Sequence, residues 1–251
     1  MRINYINNIY YNNLNNYTDI KNSAFRGSAR DVFNKSGKYL YNTLTASFRP
    51  DFEWIKFAKK IEKYYKDVDK VNVFDYGCST GEEAYTFVMS LLVTMGDNAN
   101  KFFKVIAKDI DKDNIASAKT GKIALFNGEY EEIEKNTYPY TNKFLNYDKN
   151  DKSIEFSSLI RNNVEFSQAD ILKDIDNLPE KNTILLCRHL MLYLEPEDLP
   201  KLFTKISDKF KDTSSVLVMG DGYARGKALN LLSELGFVQF GEIKHSFIKK
   251  Y

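Results

Sequence analysis

The sequence predicts an α/β domain built on a mostly parallel sheet, and three features carry that prediction. Short apolar runs rich in β-branched and aromatic residues alternate with segments of helical periodicity along most of the 251 residues, the rhythm of strands joined by crossover helices. One handover, Val73-Phe74-Asp75-Tyr76-Gly77-Cys78-Ser79-Thr80-Gly81-Glu82-Glu83, passes from strand to helix through a turn of small residues. Two final strand-like segments, 237–243 and 246–250, follow one another without a helix between them, which predicts a reversed hairpin at the sheet edge.

Residues 1–42 are rich in Asn and Tyr with poor periodicity and read as a short arm or helical remnant. Between 51 and 68, Phe52, Ile55, Phe57, Ala58, Ile61 and Tyr65 recur near helical spacing, an amphipathic helix leading into the first strand. The helix opened by Glu82 runs through Met95, a loop follows, and 102–110 reads as the second strand, ending at Asp109. A short helix over 113–119 is closed by Gly121. Residues 122–162 break the alternation: 123–126, 143–147 and 153–156 are short aromatic segments separated by Asn, Asp and Gly, which predicts a small, mostly β insertion. The rhythm resumes with strands at 164–168, 183–187 and 215–219 and helices at 197–210 and 227–235. The expected organisation is an arm over 1–42 and one domain over 43–251 that carries the insertion.

Composition removes several functional classes. Lys+Arg of 36 against Asp+Glu of 34 leaves a net charge of +2, without the basic excess of a dedicated nucleic-acid binder. There is no run of eighteen apolar residues, and the N-terminus is polar where a signal peptide would be apolar, so no membrane insertion and a cytoplasmic location are expected. Cys78 and Cys187 then read as free thiols, too few for a disulfide framework or structural zinc site. Two histidines, His189 and His245, argue against a histidine-based triad and against a metal centre. The expected chemistry needs little acid or base assistance, and a monomer is expected.

The glycine turn is the organising candidate. In open α/β sheets such a turn lies at the carboxyl end of a strand, where nucleotide-like ligands bind. A phosphate-binding turn offers free amides and a cation, whereas Glu82 and Glu83 repel pyrophosphate and suit a ligand with positive charge. S-adenosylmethionine, with a sulfonium, an ammonium and no phosphate, meets that description; an ordinary tight turn is the competing reading. Asp109, ending the second strand, is placed to accept hydrogen bonds from ribose hydroxyls, while Asp111 and Asp113 read as helix caps. Asp170, just past the third strand, is placed to meet an adenine amino group or to serve as a turn residue. Arg188 interrupts an apolar run and requires a carboxylate or backbone partner, leaving a structural salt bridge and direct ligand contact both open. His189 reads as a hydrogen-bonded imidazole at a strand end. Tyr193 is either a core aromatic or a hydroxyl aimed into the cleft, and Arg49, taken alone, is a surface arginine beside Pro50.

In sequence order, Thr45-Ala46-Ser47-Phe48-Arg49, Gly77-Cys78-Ser79-Thr80-Gly81-Glu82-Glu83, Asp109-Ile110-Asp111, Asp170-Ile171-Leu172 and Cys187-Arg188-His189-Leu190-Met191-Leu192-Tyr193 resemble the motifs of CheR-type chemotaxis receptor methyltransferases. The resemblance covers about residues 43–222, and the insertion falls where that family carries its β-subdomain. It implies a class I S-adenosylmethionine-dependent methyltransferase fold, Rossmann-like, and methylation of glutamate side chains on the cytoplasmic domain of a chemoreceptor or similar signalling protein. It implies a cofactor held by Thr45, Gly77, Cys78, Ser79, Thr80, Glu83, Asp109, Ile110, Asp170, Ile171 and Arg188, with Arg49 and Tyr193 facing the transferred methyl. Four departures limit the transfer. The family reads Phe-Phe-Arg at Ser47-Phe48-Arg49, Arg-Asn at Arg188-His189, and a Gly-His-Ser-Glu-like turn at Gly220-Asp221-Gly222, and most of its helical N-terminal domain has no counterpart ahead of Thr43. Two competing readings keep the fold: a methyltransferase with a small-molecule or other protein acceptor, and a non-catalytic module that binds the cofactor.

Overall fold

The computed structural model describes residues 31–33, 39–42, 45–220 and 225–250. Strands β1 (Asp31–Phe33) and β2 (Tyr39–Asn42) pair antiparallel as a two-stranded ribbon inside the expected arm; the rest of that arm lies outside the described residues. The chain then enters α1 (Trp54–Tyr64), whose buried Trp54, Phe57, Ala58 and Ile61 repeat at three- and four-residue spacing, the period that puts side chains on one helix face. The elements that follow are β3 (Asn72–Tyr76), α2 (Glu82–Met95), β4 (Val105–Asp109), α3 (Lys112–Thr120), β5 (Lys122–Ala124), α4 (Glu129–Thr137), β6 (Leu145–Asp148) and β7 (Ser153–Phe156). After them come β8 (Val164–Gln168), β9 (Thr183–Cys187), α5 (Asp198–Lys209), β10 (Val216–Met219), α6 (Arg225–Glu234), β11 (Phe237–Gln239) and β12 (Ser246–Lys249).

Seven strands form the main sheet in the order β11-β12-β10-β9-β3-β4-β8. Strand β3 pairs parallel with β4 and with β9, and β8 and β10 extend the parallel sheet on either side. The edge hairpin is present as expected, and β12 lies inside it, antiparallel to both β10 and β11. Chain order therefore reverses at β3, and the crevice above its carboxyl end is where such a sheet binds ligands. The central strands alternate between two cores. Val73, Ile184, Leu186, Val216 and Val218 face the layer holding α1 and α2. Leu185, Cys187, Leu217 and Met219 face the layer holding α5. Every residue of β9 is buried, which is why its sequence is a continuous apolar run. Cys78 and Cys187 are buried free thiols at the ends of the paired strands β3 and β9.

The insertion differs in part from the sequence expectation. Strands β5, β7 and β6 make a three-stranded antiparallel sheet, but α4 and a one-turn helix at Thr141–Phe144 stand between β5 and β6. Glu129, Glu131 and Glu132 sit in the first turn of α4, where they favour the helix dipole, and Ile133 and Thr137 face inward. Gly128, one of the residues expected only to separate the aromatic segments, is the helix N-cap at φ 83°. Among the described residues no helix is long and apolar enough to cross a membrane.

The turn between β3 and α2 is sterically closed at Gly81. Its φ is 97°, and a Cβ there would lie 2.9 Å from Phe166 Cζ and 3.1 Å from Tyr85 Cε2. Backbone strain and overpacking add, so Gly81→Ala is expected to lower unfolding free energy by at least about 2 kcal/mol. Urea denaturation measures this, and a midpoint unchanged from wild type would contradict the packing described.

Candidate functional site

The glycine turn is pinned to the neighbouring strand by its own backbone. Gly77 N–H and Cys78 N–H donate to the Lys108 carbonyl at 2.8 and 3.2 Å. Ser79 N–H donates to Asp109 Oδ2 at 2.8 Å, and Asp109 Oδ1 accepts Asp111 N–H at 2.8 Å. Asp109 thus joins the turn to the end of β4. Burial raises its carboxyl above the ordinary value, while the two amides oppose the rise by stabilising the ionised form. Asp111 behaves as the expected cap, accepting Asp113 N–H and Asn114 N–H at the start of α3. Ala169 N–H continues the ladder to the Asp109 carbonyl, bringing Asp170 alongside. Asp170 caps the one-turn helix Ile171–Asp174 through Leu172 N–H, and the other end of that helix is tied down by Asp174, which accepts Tyr76 Oη and pairs with Lys108.

Across the cavity, Arg188 is held by two carboxylates. Its Nη1 is 2.7 Å from Glu83 Oε2 and its Nη2 is 2.7 Å from Asp51 Oδ1, with a side chain only 1% exposed. The guanidinium also lies 5.2 and 5.0 Å from the Phe52 and Trp54 ring centroids, a favourable stacking for a planar cation. Asp51 reaches His189 Nε2 at 3.0 Å through its other oxygen. Burial works against the Asp51 charge, yet the close approach of His189 and the Arg188 cation hold its carboxyl well below the usual carboxylate range. His189 has a left-handed backbone, φ 57°, at the start of the turn Leu190–Leu192, and Leu190 packs over Gly77, where an added Cβ would lie 3.3 Å from Leu190 Cδ1. Tyr193 follows this turn. Its burial raises the phenol, and the Arg49 charge acts in the opposite sense.

Beneath the turn, Asp75 is fully buried and neither carboxyl oxygen has a hydrogen-bond partner in the described structure. Burial first, then the charge of Glu83, pushes its carboxyl well above the usual range. Glu82, also buried, accepts the Thr80 hydroxyl at 2.7 Å, and burial pushes its carboxyl up to about 7 against the effect of that bond.

A cavity of about 310 Å³ lies above the carboxyl ends of β3, β4, β8 and β9. Of the residues singled out in the sequence, Thr45, Arg49, Gly77, Ser79, Glu83, Asp109, Ile110, Asp170, Ile171, Arg188 and Tyr193 line it together. Cys78 and Thr80 do not: both side chains are buried behind the turn. Asp51 and Glu129 carry no local motif and were not legible, because their partners are far away in sequence: Arg188 for Asp51, and the Ser47 amide for Glu129. Among the described residues no group of three or more His, Cys, Asp and Glu side chains is placed to hold a metal ion.

The cavity can be tested for fit to a nucleoside carrying a cationic tail. Glu83 Oε1 is buried against it without a hydrogen-bond partner, although Oε2 is committed to Arg188. A buried carboxylate oxygen left open invites an ammonium donor. Asp109 and Asp170 line the same cavity and present carboxylates to hydroxyl or amino donors, and Ile110 and Ile171 supply apolar walls.

A family model described as CheR methyltransferase, SAM binding domain, matches residues 43–226. The chemotaxis protein methyltransferase of Borreliella burgdorferi is 26% identical over 159 residues, covering 62% of this chain and 54% of that protein. The corresponding protein of Salmonella typhimurium is 24% identical over 172 residues, 66% of this chain and 57% of its own length. In Escherichia coli the figures are 25% over 158 residues, 62% and 52%. The chain therefore spans little more than half the length of these curated relatives. Among solved structures, a TehB-like SAM-dependent methyltransferase from Corynebacterium glutamicum aligns with a TM-score of 0.42 at 13% identity, covering 77% of this chain and 88% of that one.

The buried Glu82 gives a pH prediction. Its folded-state value of about 7 lies above the ordinary 4.5, so the folded state holds a proton that the unfolded chain releases. Stability from this group is complete below the ordinary value and is lost as pH rises through 7, by roughly 3 kcal/mol in all. Glu82→Gln should remove that loss. Urea denaturation of both proteins at pH 5 and pH 8 measures it, and parallel pH dependence would contradict the assignment.

Proposed function

Because the chain belongs to the CheR methyltransferase family through that family's S-adenosylmethionine-binding domain, we propose that it transfers a methyl group from this cofactor to glutamate carboxylates of a cytoplasmic chemoreceptor domain or similar signalling protein. The observation that carries the proposal is the joint placement of Arg49, Tyr193 and the open oxygen of Glu83 around one cavity. When bound, S-adenosylmethionine supplies an electrophilic methyl group on a sulfonium, whose departure as a neutral thioether requires no proton. Glu83 holds the ammonium and is itself oriented by Arg188. Asp109 meets the ribose hydroxyls and Asp170 the adenine amino group, with Ile110 and Ile171 against the base. Thr45, Gly77 and Ser79 complete the cofactor side, and Cys78 and Thr80 contribute through the shape of the turn.

On the acceptor side, Arg49 grips the incoming carboxylate in the plane of its guanidinium and Tyr193 hydrogen-bonds it. A glutamate carboxylate, with an ordinary pKa of about 4.3, is already ionised near neutral pH and needs no base. The protein contributes position, an effect that can reach about 7–11 kcal/mol for well-oriented groups. The curated relatives are named chemotaxis protein methyltransferases, which supports a receptor acceptor, and a cytoplasmic site of action follows from that acceptor.

The test is tritiated methyl transfer onto lysate proteins, followed by alkaline release of volatile methanol, which marks a carboxyl ester. Methanol release is expected. Alkali-stable label would assign another acceptor, and cofactor binding without label would assign a non-catalytic module. Arg49→Ala is expected to cut transfer by at least about tenfold, roughly 1.4 kcal/mol of transition-state stabilisation, while leaving cofactor affinity by calorimetry unchanged. Unaltered transfer would remove Arg49 from the mechanism.

A further inference from the structure

Arg49 belongs to the irregular segment ahead of α1, and a side chain on such a segment is aimed only as well as its backbone is held. Two successive amides just before it are anchored by side chains from elsewhere. Ser47 N–H donates to Glu129 Oε1 at 2.7 Å, and Phe48 N–H donates to Thr86 Oγ1 at 3.2 Å. Both residues are buried, and Phe48 takes a left-handed backbone, φ 48°, while its ring sits in the core. A non-glycine residue keeps that conformation only where its surroundings over-determine it. Together the two amide bonds and the buried ring fix the direction in which the next residue leaves the segment.

Glu129 does more than satisfy one amide. It is the first residue of α4, it is buried, and its second oxygen accepts Phe126 N–H at 3.0 Å. One carboxylate therefore ties the start of the insertion to a backbone 82 residues earlier. Burying a charge is costly where a neutral acceptor would pair the same amides. Burial raises the carboxyls of both Glu129 and Glu82, and the Arg49 cation opposes that rise, as it does for the buried Tyr193 phenol.

We propose that Glu129, reaching out of the insertion, is a positioning residue for Arg49: its carboxylate holds the 45–49 backbone so that the guanidinium enters the cavity beside Tyr193. The inference rests on the reading of Arg49 as the group that grips the methyl acceptor.

The test uses the full chain with Glu129→Ala, Glu129→Gln, Thr86→Val, Arg49→Ala and the Arg49→Ala/Glu129→Ala double variant. Three quantities are read: methanol-releasing transfer onto a fixed amount of lysate protein at saturating cofactor, cofactor affinity by calorimetry, and hydrogen exchange of the Ser47 and Phe48 amides. Glu129→Ala should cut transfer by at least about tenfold, speed exchange at both amides and leave cofactor affinity within about twofold. Glu129→Gln, which keeps an oxygen for Ser47 N–H, should restore most of the transfer. The double variant should be no slower than Arg49→Ala alone, since both changes remove one function. Thr86→Val releases the adjacent amide without touching the insertion and should show the same pattern, which keeps the test decisive if Glu129→Ala fails to fold. If Arg49→Ala is slow while Glu129→Ala and Thr86→Val are not, or if the double variant loses transfer additively, the positioning role is overturned and the function stands. If Arg49→Ala transfers as wild type, the reading of Arg49 falls and this inference with it.

Discussion

The site depends on one buried cation. Arg188 leaves the end of β9 among apolar residues, and its guanidinium is neutralised by Glu83 from the first turn of α2 and Asp51 from the segment ahead of α1. A guanidinium sealed from water is tolerable only with such partners, and removing one partner of a buried pair typically costs about 3–5 kcal/mol. Three separate parts of the chain are thereby held at one point. The end of β9 leads to Tyr193, α2 carries the glycine turn at its start, and the segment at Asp51 brings Arg49. Because one Glu83 oxygen is committed to Arg188 and the other is open, the same ion pair that closes the fold also aims a carboxylate at the cavity.

Much of this was legible in the sequence, for identifiable reasons. A strand buried on both faces must be apolar throughout, so β9 was readable at its observed limits, 183–187. The glycine turn was readable because a left-handed backbone and a closed packing site leave little choice at Gly81. The demand of Arg188 for a carboxylate was also readable, because an apolar neighbourhood cannot hold a bare charge. The identity of its partners was not, since Asp51 is 137 residues away and nothing local marks it. Glu129 was hidden in the same way. Helix α4 was missed because a glycine that caps a helix and a glycine that turns a hairpin look alike until the packing of Ile133 and Thr137 is known.

The division of labour within the cavity follows the sheet. Residues at the strand ends β3, β4 and β8 line the cavity, and their positions are fixed by backbone ladders that any sheet of this order shares. Arg49 and Tyr193 lie on irregular segments whose geometry is set by side-chain contacts particular to this chain: the Ser47 and Phe48 amide bonds, the Asp51–His189 pair and the Leu190 contact on Gly77. On the proposed function, cofactor recognition would be built on rigid elements, and acceptor recognition on segments braced by the insertion and by α2. That arrangement suits a fold in which one cofactor serves many acceptors.

The central claim is that the cavity takes a nucleoside whose cationic amino-acid tail meets Glu83. Calorimetry with S-adenosylhomocysteine and with 5′-methylthioadenosine, which lacks the ammonium, tests it on wild type and Glu83→Gln. The wild type should bind the first ligand at least about tenfold more tightly, roughly 1.4 kcal/mol, and the difference should shrink in the variant. Equal affinity of the wild type for both ligands would contradict the account.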